Sequence, residues 1–206
     1  MSTGQDQLKE LLQQNRQWVK RVSPDLLASL EKGQSPKCLW IGCSDSRVSP
    51  TTITNQPLGS LFEHRNIANV ISSTDGNAMA VVEFSISLLG VPDIVVCGHT
   101  ECTGVATAMI HEEGQEDPSK DHLHQWLVPT RKVYQENAKA LEALDPRQRV
   151  LELGRLNVAA SVSAIAATPA AKAAWANGQP LRIHGWRFNM AQGLLEDLNM
   201  THDGSC

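Results

Sequence analysis

The chain has no excess of basic charge, which argues against nucleic acid as its main partner. Its 206 residues include 18 Lys and Arg against 22 Asp and Glu, for a net charge of −4. The basic residues form no stripe along the sequence. There is also no apolar run of the roughly 20 residues that a membrane span needs. We therefore expect neither a nucleic acid nor a membrane as partner.

Signals of export, of disulfide bonding and of redox chemistry are missing as well. No apolar h-region of a signal peptide stands near the N-terminus. Asp6 and Glu10 flank or lie within an amphipathic stretch, and a mitochondrial transit peptide tends to avoid such acids. We expect a cytoplasmic location, although a mitochondrial chain trimmed of its presequence would look the same. The five cysteines are an odd number and include no Cys-x-x-Cys pair, so neither a disulfide framework nor a redox motif is expected.

Two of the cysteines are expected to be core residues. The spacings Cys38-x4-Cys43 and Cys97-x4-Cys102 leave open a four-cysteine metal site. However, Cys38 and Cys97 lie inside mainly apolar runs that indicate buried strands, where cysteine commonly acts as a small core residue. We favour the core interpretation for both.

Hydrophobic periodicity predicts an α/β fold in a single domain over residues 1–206. Strands alternate with helices, which is typical of a mostly parallel central sheet of four to five strands flanked by helices. An N-terminal helical arm is expected over residues 1–33. Strands are predicted over 37–42, 61–66, 93–98 and 181–186, with an edge strand over 193–198. Helices are predicted over 8–22, 24–33, 75–89, 103–111, 122–144, 146–167 and 169–176, with Pro129 as a point where the helical pattern of 122–144 can break and a polar loop over 112–120.

Three side chains of the types that bind zinc follow two of these strands. Cys43 comes directly after the first strand, and His99-x-x-Cys102 follows the third. Because the carboxyl ends of parallel strands meet at one edge of a sheet, we expect the two clusters to share one site. Two cysteines and a histidine leave a tetrahedral zinc one free corner, as catalytic sites do.

Asp45 and Arg47 lie beside the first cluster, in Cys-Ser-Asp-Ser-Arg. An arginine paired with Asp45 would hold the carboxylate ionised, so that it could orient a metal-bound water and stabilise the deprotonated form. Two alternatives remain open: a strand-end turn in which Asp45 caps backbone amides, and a closed site in which Asp45 is the fourth zinc ligand. The pattern as a whole predicts an enzyme that uses a zinc-bound hydroxide.

These motifs resemble the β-class carbonic anhydrases. The stretch 61–69 (Leu-Phe-Glu-His-Arg-Asn-Ile-Ala-Asn) and the strand 181–186 are similar to the family as well, and the resemblance runs from about Gln34 to about Leu198. It implies a lyase that reversibly hydrates carbon dioxide to bicarbonate and a proton, with zinc on Cys43, His99 and Cys102. It also implies a homodimer or homotetramer.

The resemblance assigns further residues. Trp40 and Arg65 match a subgroup with a regulatory bicarbonate site. In that subgroup the residue that matches Asp45 can bind the zinc as its fourth ligand and so inactivate the enzyme at low pH. The chain departs from the family at Thr103, where Gly is usual, and from the subgroup at Phe188, where Tyr is found. The positions that match the substrate pocket are Gln34, Phe62, Ile67, Phe84 and Gly104.

Two other functions stay open from the sequence. One is a zinc hydrolase of a related small molecule such as carbon disulfide. The other is a zinc-bearing binding protein of low turnover, which a pocket narrowed by Thr103 would favour. Asp45 and Arg47 argue against the second, because a structural zinc has no use for an oriented water.

Overall fold

The computed structural model describes residues 4–110 and 122–205, with side chains from residue 7 onward. The chain divides into two compact units, Met1–Ser35 and Pro36–Cys206. The arm predicted over 1–33 falls within the first unit. The polar loop predicted over 112–120 and the terminal Cys206 lie outside the described residues.

The N-terminal unit consists of two helices, α1 (Gly4–Val19) and α2 (Pro24–Glu31). Helix α2 begins where the sequence predicts, because the Ser23 hydroxyl accepts a hydrogen bond from the Asp25 N–H and Pro24 occupies the first turn. Helix α1 keeps its apolar side chains in solvent: Leu8, Leu11 and Leu12 are each about two thirds exposed.

The second unit is built around one five-stranded sheet in the order β2-β1-β3-β4-β5. Strands β1 to β4 are parallel, and β5 pairs antiparallel with β4. The strands are β1 (Cys38–Cys43), β2 (Leu61–Asn66), β3 (Asp93–His99), β4 (Arg182–Asn189) and β5 (Leu194–His202). The helices are α3 (Pro50–Ile53), α4 (Gly76–Ser87), α5 (Thr103–Met109), α6 (His122–Trp126), α7 (Val128–Glu136), α8 (Ala138–Glu142), α9 (Pro146–Ala166) and α10 (Pro169–Ala176), with a 3-10 helix at Ile67–Asn69. The mostly parallel α/β sheet flanked by helices is confirmed.

Alternate residues of the central strands enter two different cores. Leu39 and Ile41 pack on one face of the sheet with Val158 and other residues of α4, α9 and α10. Trp40 and Val95 pack on the other face with residues of α5 and α8. Because side chains of a strand point alternately to opposite faces, a strand buried on both faces is apolar throughout. The two cores hold β1 and β3 side by side, and so fix where both strands end.

Several elements differ from the sequence-based prediction: α1 begins and ends earlier than the predicted 8–22, and β4 extends beyond residue 186 to Asn189. The break considered at Pro129 is present, since proline fits only the first turn of a helix and therefore opens α7; a further break before α8 divides 122–144 into three helices, α6 to α8. The helix α3 was not predicted, because its four residues are too few to show a helical period in hydrophobicity. Strand β5 extends to His202, well beyond 198, because its pairing with β4 resumes after a bulge at Gly185/Trp186.

Among the described residues, no single helix has the length and apolar character to cross a membrane; only α9 and α10 together reach them, across a 62° bend.

A carboxylate network joins β3, β4 and β5 at the edge of the sheet where β3 and β4 begin. Arg182 donates to both carboxylate oxygens of Asp93 at 2.8 and 3.0 Å, and His184 Nε2 lies 2.9 Å from Oδ1. His184 Nδ1 lies 3.1 Å from the Thr201 hydroxyl. Burial alone would raise the pKa of Asp93, but the hydrogen bonds from Arg182 and His184 outweigh burial and lower it.

We expect Asp93→Asn to lower the free energy of unfolding near pH 7 by about 1 kcal/mol, a size set by the partial exposure of the network. A carboxylate whose folded-state pKa is depressed contributes stability above its unfolded pKa, near 3.9, and that stability is lost as the pH falls through the folded value. Urea unfolding from pH 7 to about 2.5 should therefore show a constant difference between wild type and variant at neutral pH, and a narrowing difference below about pH 4. A difference that stays constant over this range would assign the effect to packing rather than to the charge.

Candidate metal centre

Cys43, His99 and Cys102 come together at the carboxyl edge of the sheet. Cys43 is the last residue of β1, His99 is the last residue of β3, and Cys102 is the N-cap of α5. One ligand atom from each lies within 4.8 Å of the others, and all three residues are buried. The two sulfurs are 4.0 Å apart. Neighbouring parallel strands thus unite two segments that are more than fifty residues apart in the sequence.

The histidine is oriented for a metal ion. Its Nδ1 lies 2.9 Å from the Thr100 carbonyl, which can only accept a hydrogen bond, so Nδ1 carries the proton. This tautomer leaves a lone pair on Nε2, and the buried Nε2 has no hydrogen-bond partner among the described residues. A buried nitrogen acceptor without a partner, aimed at two sulfurs, fits a zinc ligand set of two cysteines and one histidine.

The two thiols depend on one another for ionisation. The pKa of Cys43 falls to about 4, because Cys102 donates a hydrogen bond to its sulfur and outweighs the opposing effect of burial. The same contact, together with burial, raises the pKa of Cys102. Zinc binds cysteine as thiolate, so a dication between the two sulfurs would favour loss of both protons.

Asp45 and Arg47 form a two-pronged ion pair beside the ligands. Arg47 Nε and Nη2 donate to the two carboxylate oxygens of Asp45 at 2.9 and 2.6 Å, and the Arg47 backbone N–H adds a third bond at 2.9 Å. The hydrogen bonds from Arg47 hold the pKa of Asp45 well below its usual range. Asp45 Oδ2 lies 3.9 Å from His99 Nε2. An ionised acceptor is thereby held next to the ligand cluster, and both the ion pair and the backbone cap expected from the sequence are present.

Arg65, on β2, stabilises the segment 43–47 that follows β1, which we call the ligand loop. Its Nε donates to the Cys43 carbonyl at 2.9 Å and its Nη2 donates to the Asp45 carbonyl at 2.7 Å. Trp40 is buried and packs edge-on against Trp186, with ring centroids 6.1 Å apart. The guanidinium of Arg65 therefore shapes the ligand loop directly. Bicarbonate binding by Trp40 and Arg65 stays a prediction, as does a closed state with Asp45 on the metal.

Four of the five predicted pocket residues form two pairs that are in contact. Phe62 and Phe84 stack with ring centroids 5.7 Å apart. Gly104 leaves the space that Ile67 fills, because a β-carbon at Gly104 would lie 2.7 Å from Ile67 Cγ2. Gln34 is exposed and belongs to the N-terminal unit, so its role stays a prediction.

A cleft of about 340 Å³ runs beside the ligand loop. Its lining includes Ile67 and Arg65, and also six residues that sequence reasoning did not select: Ser44, His64, Asn66, Asp75, Asn77 and Trp126. Asn66 closes a local loop by bonding the N–H and carbonyl of Val70, at 2.8 and 2.9 Å.

Two alternatives from the sequence gain no support: a four-cysteine metal site that includes Cys38 and Cys97, and a pocket narrowed by Thr103. Cys38 starts β1, at the opposite end of the strand from Cys43, and is only half-buried, so it is not the core residue expected; Cys97 is buried in the second core, as expected. Burial raises the pKa of Cys97 to about 12, as for a core thiol. Thr103 is exposed at the start of α5, and the tight space beside the ligand loop is at Gly104 instead.

The most informative omission of the sequence reasoning is Asn157, a polar residue on α9 with 2% exposure. Its amide donates to the carbonyl of Ala68, whose own N–H donates to the Cys43 sulfur. The available signal was an asparagine and Ser161 one helical turn apart within an otherwise apolar helix face.

Comparisons with known proteins agree with this site. The family model described as carbonic anhydrase matches residues 38–195. A carbonic anhydrase of Emericella nidulans is 38% identical over 200 residues, which are 95% of this chain and 85% of the relative. A carbonic anhydrase of Saccharomyces cerevisiae is 32% identical over 198 residues, covering 93% of this chain and 89% of the relative.

Solved structures are similar over nearly the whole chain. One of two tetrameric β-carbonic anhydrases from Sordaria macrospora superimposes with a TM-score of 0.87 at 35% identity, covering 96% of this chain and 99% of that one. A Coccomyxa β-carbonic anhydrase in complex with acetazolamide gives a TM-score of 0.89 at 32% identity, covering 96% and 88%.

Proposed function

Because this chain belongs to the β-class carbonic anhydrases, we infer that it catalyses the zinc-dependent reversible hydration of carbon dioxide to bicarbonate and a proton. The observation that carries this conclusion is the juxtaposition of the three buried ligands with the Asp45–Arg47 ion pair. Zinc held by Cys43, His99 and Cys102 supplies a Lewis acid that makes water reactive near neutral pH.

The geometry limits what Asp45 can do. Its depressed pKa means that it stays ionised in the working range and is a poor proton acceptor. It is therefore suited to accept a hydrogen bond from the attacking water and so to orient it, without taking its proton. Arg47 restricts the carboxylate to this position through two parallel hydrogen bonds.

The side chains proposed to bind the substrate suit an uncharged molecule. Phe62, Phe84 and Ile67 are each partly exposed, and they offer apolar surface for a molecule that carries no charge and has few hydrogen-bonding options. Contact of carbon dioxide with these three residues and with Gly104 is part of the proposal.

The chain also assembles, in our proposal, as a homodimer or homotetramer. The tetrameric β-carbonic anhydrase of Sordaria macrospora supports an oligomer. The exposed leucines of α1 support it too, because an apolar helix face in solvent favours burial against a partner surface. Light scattering after size-exclusion chromatography measures the state. A cytoplasmic location stays a prediction.

The direct test is stopped-flow hydration of carbon dioxide by protein of measured zinc content. Turnover should rise with pH between about 6.5 and about 9, the range in which a catalytic zinc site ionises its water. Protein stripped by a chelator should be inactive and should recover activity on adding zinc. Stoichiometric zinc with no turnover at any pH would reject the assignment.

A further inference from the structure

The 3-10 helix after β2 presents a strained backbone to the metal centre. The Ala68 N–H donates to the Cys43 sulfur at 3.4 Å. Ala68 has a φ of 64° and Asn69 a φ of 47°, in the left-handed region that residues other than glycine rarely adopt. Both residues are buried. Such a conformation persists only where surrounding contacts hold it.

Three side chains hold three consecutive carbonyls of this segment. Trp126 Nε1 donates to the Ile67 carbonyl at 2.9 Å. Asn157 Nδ2 donates to the Ala68 carbonyl at 2.8 Å. The Ser161 hydroxyl donates to the Asn69 carbonyl at 3.2 Å and accepts from the Ile71 N–H at 3.1 Å.

The Asn157 contact holds the carbonyl of Ala68 itself and is buried, whereas the Trp126 contact, on the Ile67 carbonyl of the peptide group that includes the Ala68 N–H, is exposed. The two backbone torsions of Ala68, φ and ψ, relate the N–H that reaches Cys43 to the carbonyl that Asn157 holds. The amide itself is locked, because its Oδ1 accepts from the Thr130 hydroxyl at 2.8 Å. A carbonyl only accepts hydrogen bonds, so the Asn157 amide has one orientation that satisfies both partners. Thr130 and Asn157 are both buried, so water does not compete for these bonds.

We propose that Asn157, locked by Thr130, is a positioning residue for the metal centre: it keeps the Ala68 N–H directed at the Cys43 sulfur and so strengthens zinc binding by that thiolate. The proposal rests on the zinc site of the proposed function but not on the reaction. Partners behind the metal ligands commonly change metal affinity by about 10–100-fold when they are replaced.

The test is Asn157→Asp, which keeps the size of the side chain but faces the Ala68 carbonyl with an acceptor. Zinc affinity, measured by competition with a chelator, should fall about 10-fold or more. The thiolate-to-metal charge-transfer band of the cobalt(II)-substituted protein should shift from its wild-type position. Both readouts are independent of carbon dioxide hydration, so a wild-type protein without turnover would leave this test intact.

Ser161→Ala is the matched control, because Ser161 lies one turn further along α9 and bonds the same segment but not Ala68. It should leave zinc affinity and the cobalt spectrum at wild-type values. Thr130→Val removes the hydroxyl that orients the amide, and it should lower zinc affinity and shift the cobalt band less than Asn157→Asp does. Thr130→Ser keeps a hydroxyl and should give wild-type values of both. This pair decides the question if Asn157→Asp does not fold. Unchanged affinity and spectrum in Asn157→Asp or Thr130→Val, or an equal loss in Ser161→Ala, would overturn the proposal.

Discussion

Replacing His99 with alanine should abolish both zinc binding and carbon dioxide hydration. The imidazole is the only nitrogen in the ligand group found among the described residues, and its Nε2 is buried without another partner. Its loss leaves two sulfurs, too few to retain zinc against water. Zinc content by mass spectrometry should fall from stoichiometric to near zero, and stopped-flow turnover should fall with it.

His184→Ala is a suitable control for this variant. His184 lies on β4, near the strand's start and away from the ligand edge, where it pairs with Asp93. Its removal should reduce stability but leave zinc content and the activity per zinc unchanged. Circular dichroism checks that both variants are folded. A folded His99→Ala protein that keeps one zinc per chain and its activity would refute the ligand assignment.

Asp45→Asn should keep zinc and lose most of the turnover. Asparagine has nearly the same shape, but it carries no charge and offers one acceptor oxygen where Asp45 offers two to Arg47. Water orientation by an ionised acceptor is then lost. Removal of one such preorganised group typically costs about 10²–10³-fold in kcat. Zinc content should stay at the wild-type level, in contrast to the His99 variant.

Asp93→Asn provides a matched comparison, because Asp93 is also held by two bonds from one arginine, at the other edge of the sheet. The same chemical change there should lower stability and leave kcat per zinc intact. If Asp45→Asn shows wild-type kcat, Asp45 has no part in orienting water. If both variants lose kcat equally, the loss comes from weakened folding.

The metal ligands were within reach of sequence reasoning, for a physical reason. Cys43 and His99 each follow an apolar run, and parallel strands bring their carboxyl ends to one edge. The Asp45–Arg47 pair was equally accessible, because two residues of one turn meet whatever the rest of the fold does. Local patterns therefore predicted the fold class and the chemistry of the site.

Contacts across the fold were not accessible in this way. Asn157 and Ala68 are separated by 89 positions, and only the packing of α9 across the sheet brings them together. Arg65 was selected for a bicarbonate site, which stays a prediction; its contacts with the carbonyls of Cys43 and Asp45 depend on the register of β2 against β1 and were not foreseen. The length of β5 was misjudged since its pairing continues past a bulge, which depends on the partner strand rather than on the edge strand itself.

The sequence by itself determined that this protein has buried parallel strands, two clusters of zinc-binding side chains at strand ends, and an acid paired with an arginine beside one of them. These features depend on periodicity and on neighbours within a few residues, and both are written in the order of the chain. Only the tertiary structure decided which nitrogen of His99 is free, how the Ala68 backbone meets the Cys43 sulfur, and which residue of α9 holds it there. Those contacts depend on how helices pack against the sheet. If α9 were shifted by one residue, an apolar side chain, Leu156 or Val158, would take the place of Asn157.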